Sequence, residues 1–409
     1  KNIAINLENK EKMITFAAFF KLTIIDNLQN SIAMIQRTLQ NVLTQYIGKG
    51  KAILLIGARQ VGKSTLFRMM TQSMAEDSIL WLNCDLQSVR DMLYNPSLAG
   101  LQLLINNKSV VVIDEAQRVE NIGLTLKVIV DNFPNIQLLV TGSSALDLHS
   151  KINEPLTGRK IEYHLFPIST GELYAAKGLI TTSEMLETRL IYGSYPDVLF
   201  GSLPPEKALT ELTESYLYKD ILDLEGMRKP AVLQKLLVAL ALQIGSEVSY
   251  HELSKTVEVD SKTVEKYIDI LEKCYIVFRL NSFSRNIRTE LTKGKKIYFY
   301  DLGVRNAVLQ AFAPLELRQD KGALWENFFI AERMKYNHYS DRLVKSYFWR
   351  TTEKQEIDYI EESNGELHLF EMKWNEKKQS AKIPNQFIEQ YHPQKTDVIT
   401  TANYLTYLI

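Results

Sequence analysis

The chain reads as an α/β protein with a parallel-sheet core at its front and a smaller α/β unit at its end. Three observations carry that reading. An apolar run, Leu54-Leu55-Ile56, opens directly into Gly57-Ala58-Arg59-Gln60-Val61-Gly62-Lys63-Ser64-Thr65, and an amphipathic helix from Thr65 to Met74 follows. A block of β-branched residues, Val110-Val111-Val112-Ile113, ends on Asp114-Glu115, as a strand buried on both faces would. Far downstream, Asp358 and Glu371-x-Lys373 sit on two strand-like runs.

The first element has the full G-x-x-x-x-G-K-S spacing of a loop that cradles nucleotide phosphates. Gly57 and Gly62 let the backbone turn tightly and approach the phosphates. The N–H groups from Ala58 through Arg59, Gln60 and Val61 to Thr65, and the positive end of the helix, then point at them. Lys63 is placed to reach the β- and γ-phosphates, and Ser64 to ligate Mg²⁺. A purely structural glycine turn is the competing reading; the strand before and the helix after weigh against it.

Further strands come in order. Ile79 to Asp85 reads as the second and Ser109 to Glu115 as the third. Asp114 can hold Mg²⁺ through water while Glu115 polarises the attacking water, unless the pair is only an acidic turn. The strand from Ile136 to Ser144 ends in hydroxyls, so Thr141, Ser143 or Ser144 can sense the γ-phosphate. Ser144 serves equally as an N-cap for a helix beginning at Ala145. Leu156-Thr157-Gly158-Arg159 precedes a strand from Ile161 to Leu165. Arg159 is the candidate for stabilising transition-state charge, in cis or across the subunit interface of a homo-oligomer; a surface ion pair accounts for it equally well.

The succession GARQVGKST, VVVIDEAQ, LLVTGSSA, LTGRKIEYHLFPIS and YGSYPDVL resembles the prokaryotic AAA-type ATPases that carry a C-terminal nuclease-like region. Arg59-Gln60 in the loop and Gln117 after the acidic pair are features of that family. The resemblance runs from about Met34 almost to the C-terminus. It implies a P-loop NTPase core that takes ATP rather than GTP, and no N-K-x-D guanine-reading element stands against it.

The expected organisation is an N-terminal extension over 1–33, an ATPase domain over 34–175, a helical lid or linker over 176–229, a winged-helix domain over 230–305 and a nuclease-like domain over 306–409. A helix-like segment is predicted from Ile35 to Tyr46, another from Ala208 to Leu224, and a third from Ala231 to Gly245 with Leu233, Leu236, Leu237 and Leu240 inward. Residues 248–254 and 260–271 have helix-turn-helix spacing. Asp260 or Ser261 caps the second helix, Val264, Ile268 and Leu271 face in, and Lys262 and Lys266 face out. A hairpin, Ile276 to Leu280 and Lys296 to Tyr300, follows. Its connection holds Arg285, Arg288, Lys293, Lys295 and Lys296 against Glu290, which suits phosphate contact and makes DNA a candidate partner. Glu265, Asp269 and Glu272 on the supposed recognition helix favour a docking module instead.

At the end of the chain, a helix beginning at Lys321 carries Glu326 among apolar residues, and strands follow over 344–350, 356–360 and 367–374. Asp358 and Glu371-x-Lys373 have the order and spacing of a PD-(D/E)xK nuclease core. Two carboxylates on neighbouring strands would hold Mg²⁺, and the lysine would orient or deprotonate a water. Alternation sets Glu371 and Lys373 on one face, with Glu326 approaching as a further metal ligand or orienting group. The pattern alone is common by chance, and a surface charge cluster on an edge strand would also produce it; related folds also lose activity while keeping shape. The fold expected is thus α/β throughout: a P-loop NTPase parallel-sheet core, a helical and winged-helix region, and a restriction-endonuclease-like domain. The function expected is Mg-dependent ATP binding and hydrolysis coupled to DNA processing. The rival is an ATP-driven switch whose C-terminal domain binds a partner without cleaving it.

Composition adds boundaries. Lys plus Arg number 48 and Asp plus Glu number 48 among 409 residues, so net charge gives no argument for a nucleic-acid partner and any such argument is local. The two cysteines, Cys84 and Cys274, sit in separate regions with no C-x-x-C spacing, which fits a reducing compartment and excludes a disulfide framework. No zinc cluster is visible among the six histidines, and no run has the roughly 18 apolar residues of a membrane span. The expectation is a cytoplasmic protein. Ile14 to Phe20 is apolar but Lys21 interrupts it, and Met34 reads as an alternative start.

Overall fold

Continuous apolar runs make strands that can be covered on both faces, and here they build a five-stranded parallel sheet. Its strands are β1 (Ala52–Ile56), β2 (Ile79–Asn83), β3 (Val110–Asp114), β4 (Gln137–Gly142) and β5 (Lys160–His164), in the spatial order β2-β3-β4-β1-β5. Every residue of β1, β3 and β4 is buried, while the edge strands β2 and β5 are half-covered. The strand positions agree with the apolar runs to within two residues, the first helix being Lys63–Thr71. The computed structural model describes residues 35–143, 156–214, 230–285, 294–351, 353, 355–375, 377 and 383–409. The expected N-terminal extension, Ser144, the Ala145 helix and the 215–224 part of the helix after Pro205 lie outside them; Pro205–Leu212 is helical.

Parallel pairing aligns the carboxyl ends of the strands. Ile53 faces Leu139, Asn83 faces Asp114, and Ala52 faces Lys160. Gly57, Asp114, Gly142 and Leu165 therefore gather along one edge of the sheet, where the order departs from the sequence on either side of β1 and a crevice opens.

A second, seven-stranded sheet has the order β12-β11-β10-β9-β7-β8-β6. It comprises β6 (Glu247–Val248), β7 (Val277–Ser282), β8 (Lys295–Phe299), β9 (Lys345–Arg350), β10 (Glu356–Ser363), β11 (Glu366–Met372) and β12 (Lys395–Ile399). Helices Pro230–Leu242, Tyr250–Val257 and Ser261–Lys273 lie before β7, with Asp260 capping the last by accepting the Thr263 N–H at 2.9 Å. Val264, Ile268 and Leu271 are buried, and Lys262 and Lys266 are exposed. The expected boundary at 305/306 does not separate two sheets. β7 pairs in parallel with β9, Asn281 facing Tyr347, so the hairpin and the C-terminal strands share one hydrogen-bonded surface.

Residues from Arg37 to Ile409 form one compact unit. An apolar cluster runs unbroken from Leu54 and Val140 in the first sheet to Leu236 and Ile268 beside the second and Val277 within it. Among the described residues no helix is long and apolar enough to cross a membrane, and both cysteines are free and buried.

Candidate functional site

The phosphate loop is shaped by its two glycines. A Cβ on Gly57 would meet the Leu165 carbonyl oxygen at 2.1 Å, so only glycine lets the end of β1 pass so close to the end of β5. Gly62 has φ +94° and turns the chain into helix Lys63–Thr71. Lys63 is 5% exposed, and its Nζ donates to the carbonyls of Gly57 at 2.9 Å and Ala58 at 2.8 Å. Burial pushes this ammonium down to about 8, against the pull of Glu115 and Asp114, with Arg59 adding to the fall. A buried cation on a glycine-turned loop at the start of a helix fits the phosphates of ATP. The anion would replace the solvation that folding removed. A cavity of about 320 Å³ borders Gln60, with Asp197, Gly201 and Leu212 on its wall.

On the neighbouring strand ends, Ser64 donates to Asp114 at 2.9 Å. Buried Thr141 donates to the same carboxylate oxygen and accepts the Glu115 N–H at 3.0 Å. Glu115 takes a left-handed backbone, φ +54°, which turns it away from the strand direction. Gln117 donates to Glu115 at 2.6 Å and to Ser143 at 2.7 Å. Burial raises the pKa of Glu115, but Lys63, Gln117 and Ser143 outweigh it and the carboxyl titrates below its ordinary value. The Ser64 hydroxyl touching the Asp114 carboxylate is a donor set that suits hydrated Mg²⁺. Thr141 and Ser143 thus stand where the strand-end reading put them.

Arg159 does not join them. It sits just before β5, where its carbonyl accepts the Ala52 N–H, at the start of β1, whereas the phosphate loop follows the end of β1. The length of a strand separates them. Its guanidinium is exposed and pairs with Asp131 at 2.6 Å. Arg159 is therefore no part of the chain's own phosphate site, and the surface ion pair is what the fold contains.

A residue that sequence reasoning missed takes the prominent place. Arg37, 5% exposed, donates to the Val61 carbonyl inside the phosphate loop at 2.6 Å. It also reaches the Phe166 carbonyl at 2.6 Å and Glu172 at 3.0 Å. Glu172 belongs to a capping box with Ser169 at the start of helix Thr170–Glu184. The S-x-x-E spacing at 169–172 was a readable signal for Glu172; its arginine partner, 135 residues away, had none.

In the second sheet, Asp358, Glu371 and Lys373 converge. The pairing of β10 with β9 shifts between Ile357 and Ile360, a bulge that holds Asp358 and re-aims it. Asp358 accepts the Met372 N–H at 2.9 Å, and Lys373 Nζ lies 2.9 Å from Glu371 and 3.9 Å from Asp358. The other oxygen of Glu371 is buried and without a hydrogen-bond partner. Burial and then Asp358 push Glu371 up to about 7, against Lys373. An orphaned buried carboxylate oxygen beside a second carboxylate fits a divalent cation. Glu326 lies near enough to feel Asp358 and Lys373, but its hydrogen bonds go to other partners, Lys296 at 2.9 Å and Tyr298 at 2.6 Å. Among the described residues no three His, Cys, Asp or Glu side chains are grouped to hold a metal ion.

The basic connection reads differently in the fold. Lys296 is 1% exposed and bridges Glu326 and Glu356, so it is not a phosphate contact. Lys295 packs over Tyr250, and Arg288, Glu290 and Lys293 lie outside the described residues. Asp269 and Glu272 are both held by Arg279 of β7, whose single positive charge offsets part of theirs toward any partner.

Comparison with known proteins places a class on the first sheet. Residues 49–174 match the family described as AAA domain, 183–315 a domain of unknown function (DUF8612), and 321–407 a domain of unknown function (DUF4143). The AAA match supports an AAA-type ATPase family and, with it, ATP binding and hydrolysis with Mg²⁺. An uncharacterized protein of Mycobacterium tuberculosis is 29% identical over 348 residues, 81% of this chain and 72% of its own. An uncharacterized protein of Haemophilus influenzae is 27% identical over 268 residues, 61% of this chain and 67% of its own. The structure of Drosophila ORC bound to AT-rich DNA and Cdc6 aligns with TM-score 0.27 and 12% identity, over 70% of this chain and 95% of that one.

Proposed function

We propose that the first sheet binds Mg-ATP at Gly57 to Thr65 and hydrolyses it, and that the nucleotide state governs a nuclease-like site at Asp358, Glu371 and Lys373 that processes DNA. The observation that carries the first half is Thr141, which holds Asp114 beside Ser64 while fixing the backbone of Glu115. Glu115, ionised at neutral pH, orients water for attack, and Lys63 offsets the charge on the phosphates. Mg²⁺, when bound, neutralises charge on the β- and γ-phosphate oxygens.

The second half is supported by the Asp358 bulge and by the unpartnered oxygen of Glu371. Helix Pro230–Leu242, the short β6, two further helices and the β7–β8 hairpin come in the order of a winged helix, with Arg285 at the edge of the connection. We read this part as the DNA grip, in a cytoplasmic protein that can assemble with copies of itself. A second reading, a switch that binds a partner without cutting, is favoured by Glu326 being tied to Lys296 and by the lack of a three-carboxylate group among the described residues.

Two assays separate these. Wild type and Glu371→Ala are compared on plasmid DNA with Mg²⁺, with and without ATP. Loss of cleavage in the variant supports the nuclease; identical traces sink it and leave the switch. Independently, Lys63→Ala is expected to abolish ATP hydrolysis, and a variant as fast as its parent would overturn the phosphate-loop assignment.

A further inference from the structure

The guanidinium of Arg37 is buried where three parts of the chain meet, and it reaches an acceptor on each of them. Nη1 donates to the carbonyl of Val61, the residue just before Gly62. Nη2 donates to the carbonyl of Phe166 beyond β5, and Nε to Glu172. Glu172 is fixed in turn, accepting the N–H groups of Thr38 at 2.9 Å and Ser169 at 3.0 Å. The Tyr339 hydroxyl stands beside the guanidinium and accepts the Phe166 N–H at 3.0 Å. No residue of this cluster belongs to the phosphate-binding pattern except Val61.

A trans peptide unit points its carbonyl and its N–H in opposite directions. Whatever holds the Val61 oxygen therefore aims the N–H of Gly62 the other way. Arg37 holds that oxygen at 2.6 Å, a short charge-assisted bond of the kind that fixes geometry. A Cβ on Gly62 would come within 3.6 Å of the same guanidinium, so the arginine also lies against the turn that starts the helix.

We propose that Arg37 is a positioning residue for ATP: by holding the Val61 carbonyl outward it presets the Gly62 N–H toward the phosphates before nucleotide arrives. The inference rests on the phosphate-loop reading above. It concerns binding geometry, because Arg37 touches the back of the loop and not the ligand. Pre-organisation of this kind lowers the ordering cost of binding, and its loss appears in affinity ahead of turnover.

The test measures binding of a fluorescent ATP analogue with Mg²⁺, and the KM and kcat of hydrolysis, for wild type, Arg37→Lys and Glu172→Gln. Lysine keeps the charge but cannot reach both carbonyls and Glu172 at once. For Arg37→Lys the expected result is a KM raised about tenfold, with kcat within about threefold of wild type. Glu172→Gln, which frees one arm of the guanidinium, is expected to fall between the two. Circular dichroism reports whether each variant is folded. A folded Arg37→Lys with KM within twofold of wild type overturns the proposal; should that variant not fold, an unchanged KM in folded Glu172→Gln overturns it in the same way. Failure of wild type to bind the analogue would instead defeat the phosphate-loop reading itself.

Discussion

Replacing Lys63 by methionine removes the cation that the phosphate loop is built around, and the chain without nucleotide is expected to become more stable. The ammonium is buried, and its pKa falls from 10.5 to about 8. At about 1.4 kcal/mol per pH unit, holding it charged costs the fold about 3 kcal/mol. The two bonds to the Gly57 and Ala58 carbonyls offset about 1 kcal/mol when they go, leaving a gain of about 2 kcal/mol for Lys63→Met at neutral pH. The sign with pH follows from proton counts. Below about pH 8 both folded and unfolded chains carry the proton and the full cost is present. Between about 8 and 10.5 the unfolded chain binds more protons, so wild-type stability rises with pH and the advantage of the variant shrinks, reaching about zero near pH 9.5. Urea unfolding of both chains at pH 7, 8 and 9.5, without nucleotide, measures this. A saturating Mg-bound, non-hydrolysable ATP analogue, at about a hundred times its Kd, should then stabilise wild type by about 2.7 kcal/mol and leave the variant unmoved. A methionine variant less stable than its parent at pH 7, or an advantage that does not decline with pH, would refute the reasoning.

Thr141→Val keeps the shape of the side chain but takes one hydrogen bond from Asp114 and another from the Glu115 backbone; ATP turnover is expected to fall about 10- to 100-fold, read by phosphate release. Arg159→Ala should leave turnover within about twofold at every protein concentration, since the residue lies at the far edge of the sheet. A tenfold loss would mean that it reaches the site of a neighbouring copy. Lys296→Met strips a buried cation from between Glu326 and Glu356 and is expected to cost about 3 kcal/mol of stability, measured by urea unfolding.

The first sheet was legible because burial on both faces leaves long apolar runs, and because the glycine loop needs fixed residue types at fixed spacing. Asp114, Thr141 and Ser143 followed from strand ends in a parallel sheet. The choice left open for Arg159 depended on which end of β5 it occupied relative to the phosphate loop, which the sequence does not state. Lys296 was counted as part of a basic connection although it lies on a strand facing inward, between two carboxylates distant in sequence. The Asp358 bulge breaks a strand pattern without any residue that marks it, and the link from Arg37 to Glu172 depends on tertiary packing alone. The sheet shared across 305/306 was hidden for a related reason: strand partners are chosen across the sheet, and a parallel β7–β9 pairing leaves no trace in local composition.

Helix Lys321–Tyr339 carries Glu326 near its start and Tyr339 at its end. Between them Glu332 grips Thr170, Arg189 and Lys335. At 1.5 Å per residue Glu326 and Tyr339 stand about 20 Å apart along one helix. One end lies beside the guanidinium that braces the phosphate loop, the other beside the acidic cluster of the second sheet. One continuous helix therefore touches the surroundings of both charged centres, and the consequence of a substitution at one is to be looked for at the other.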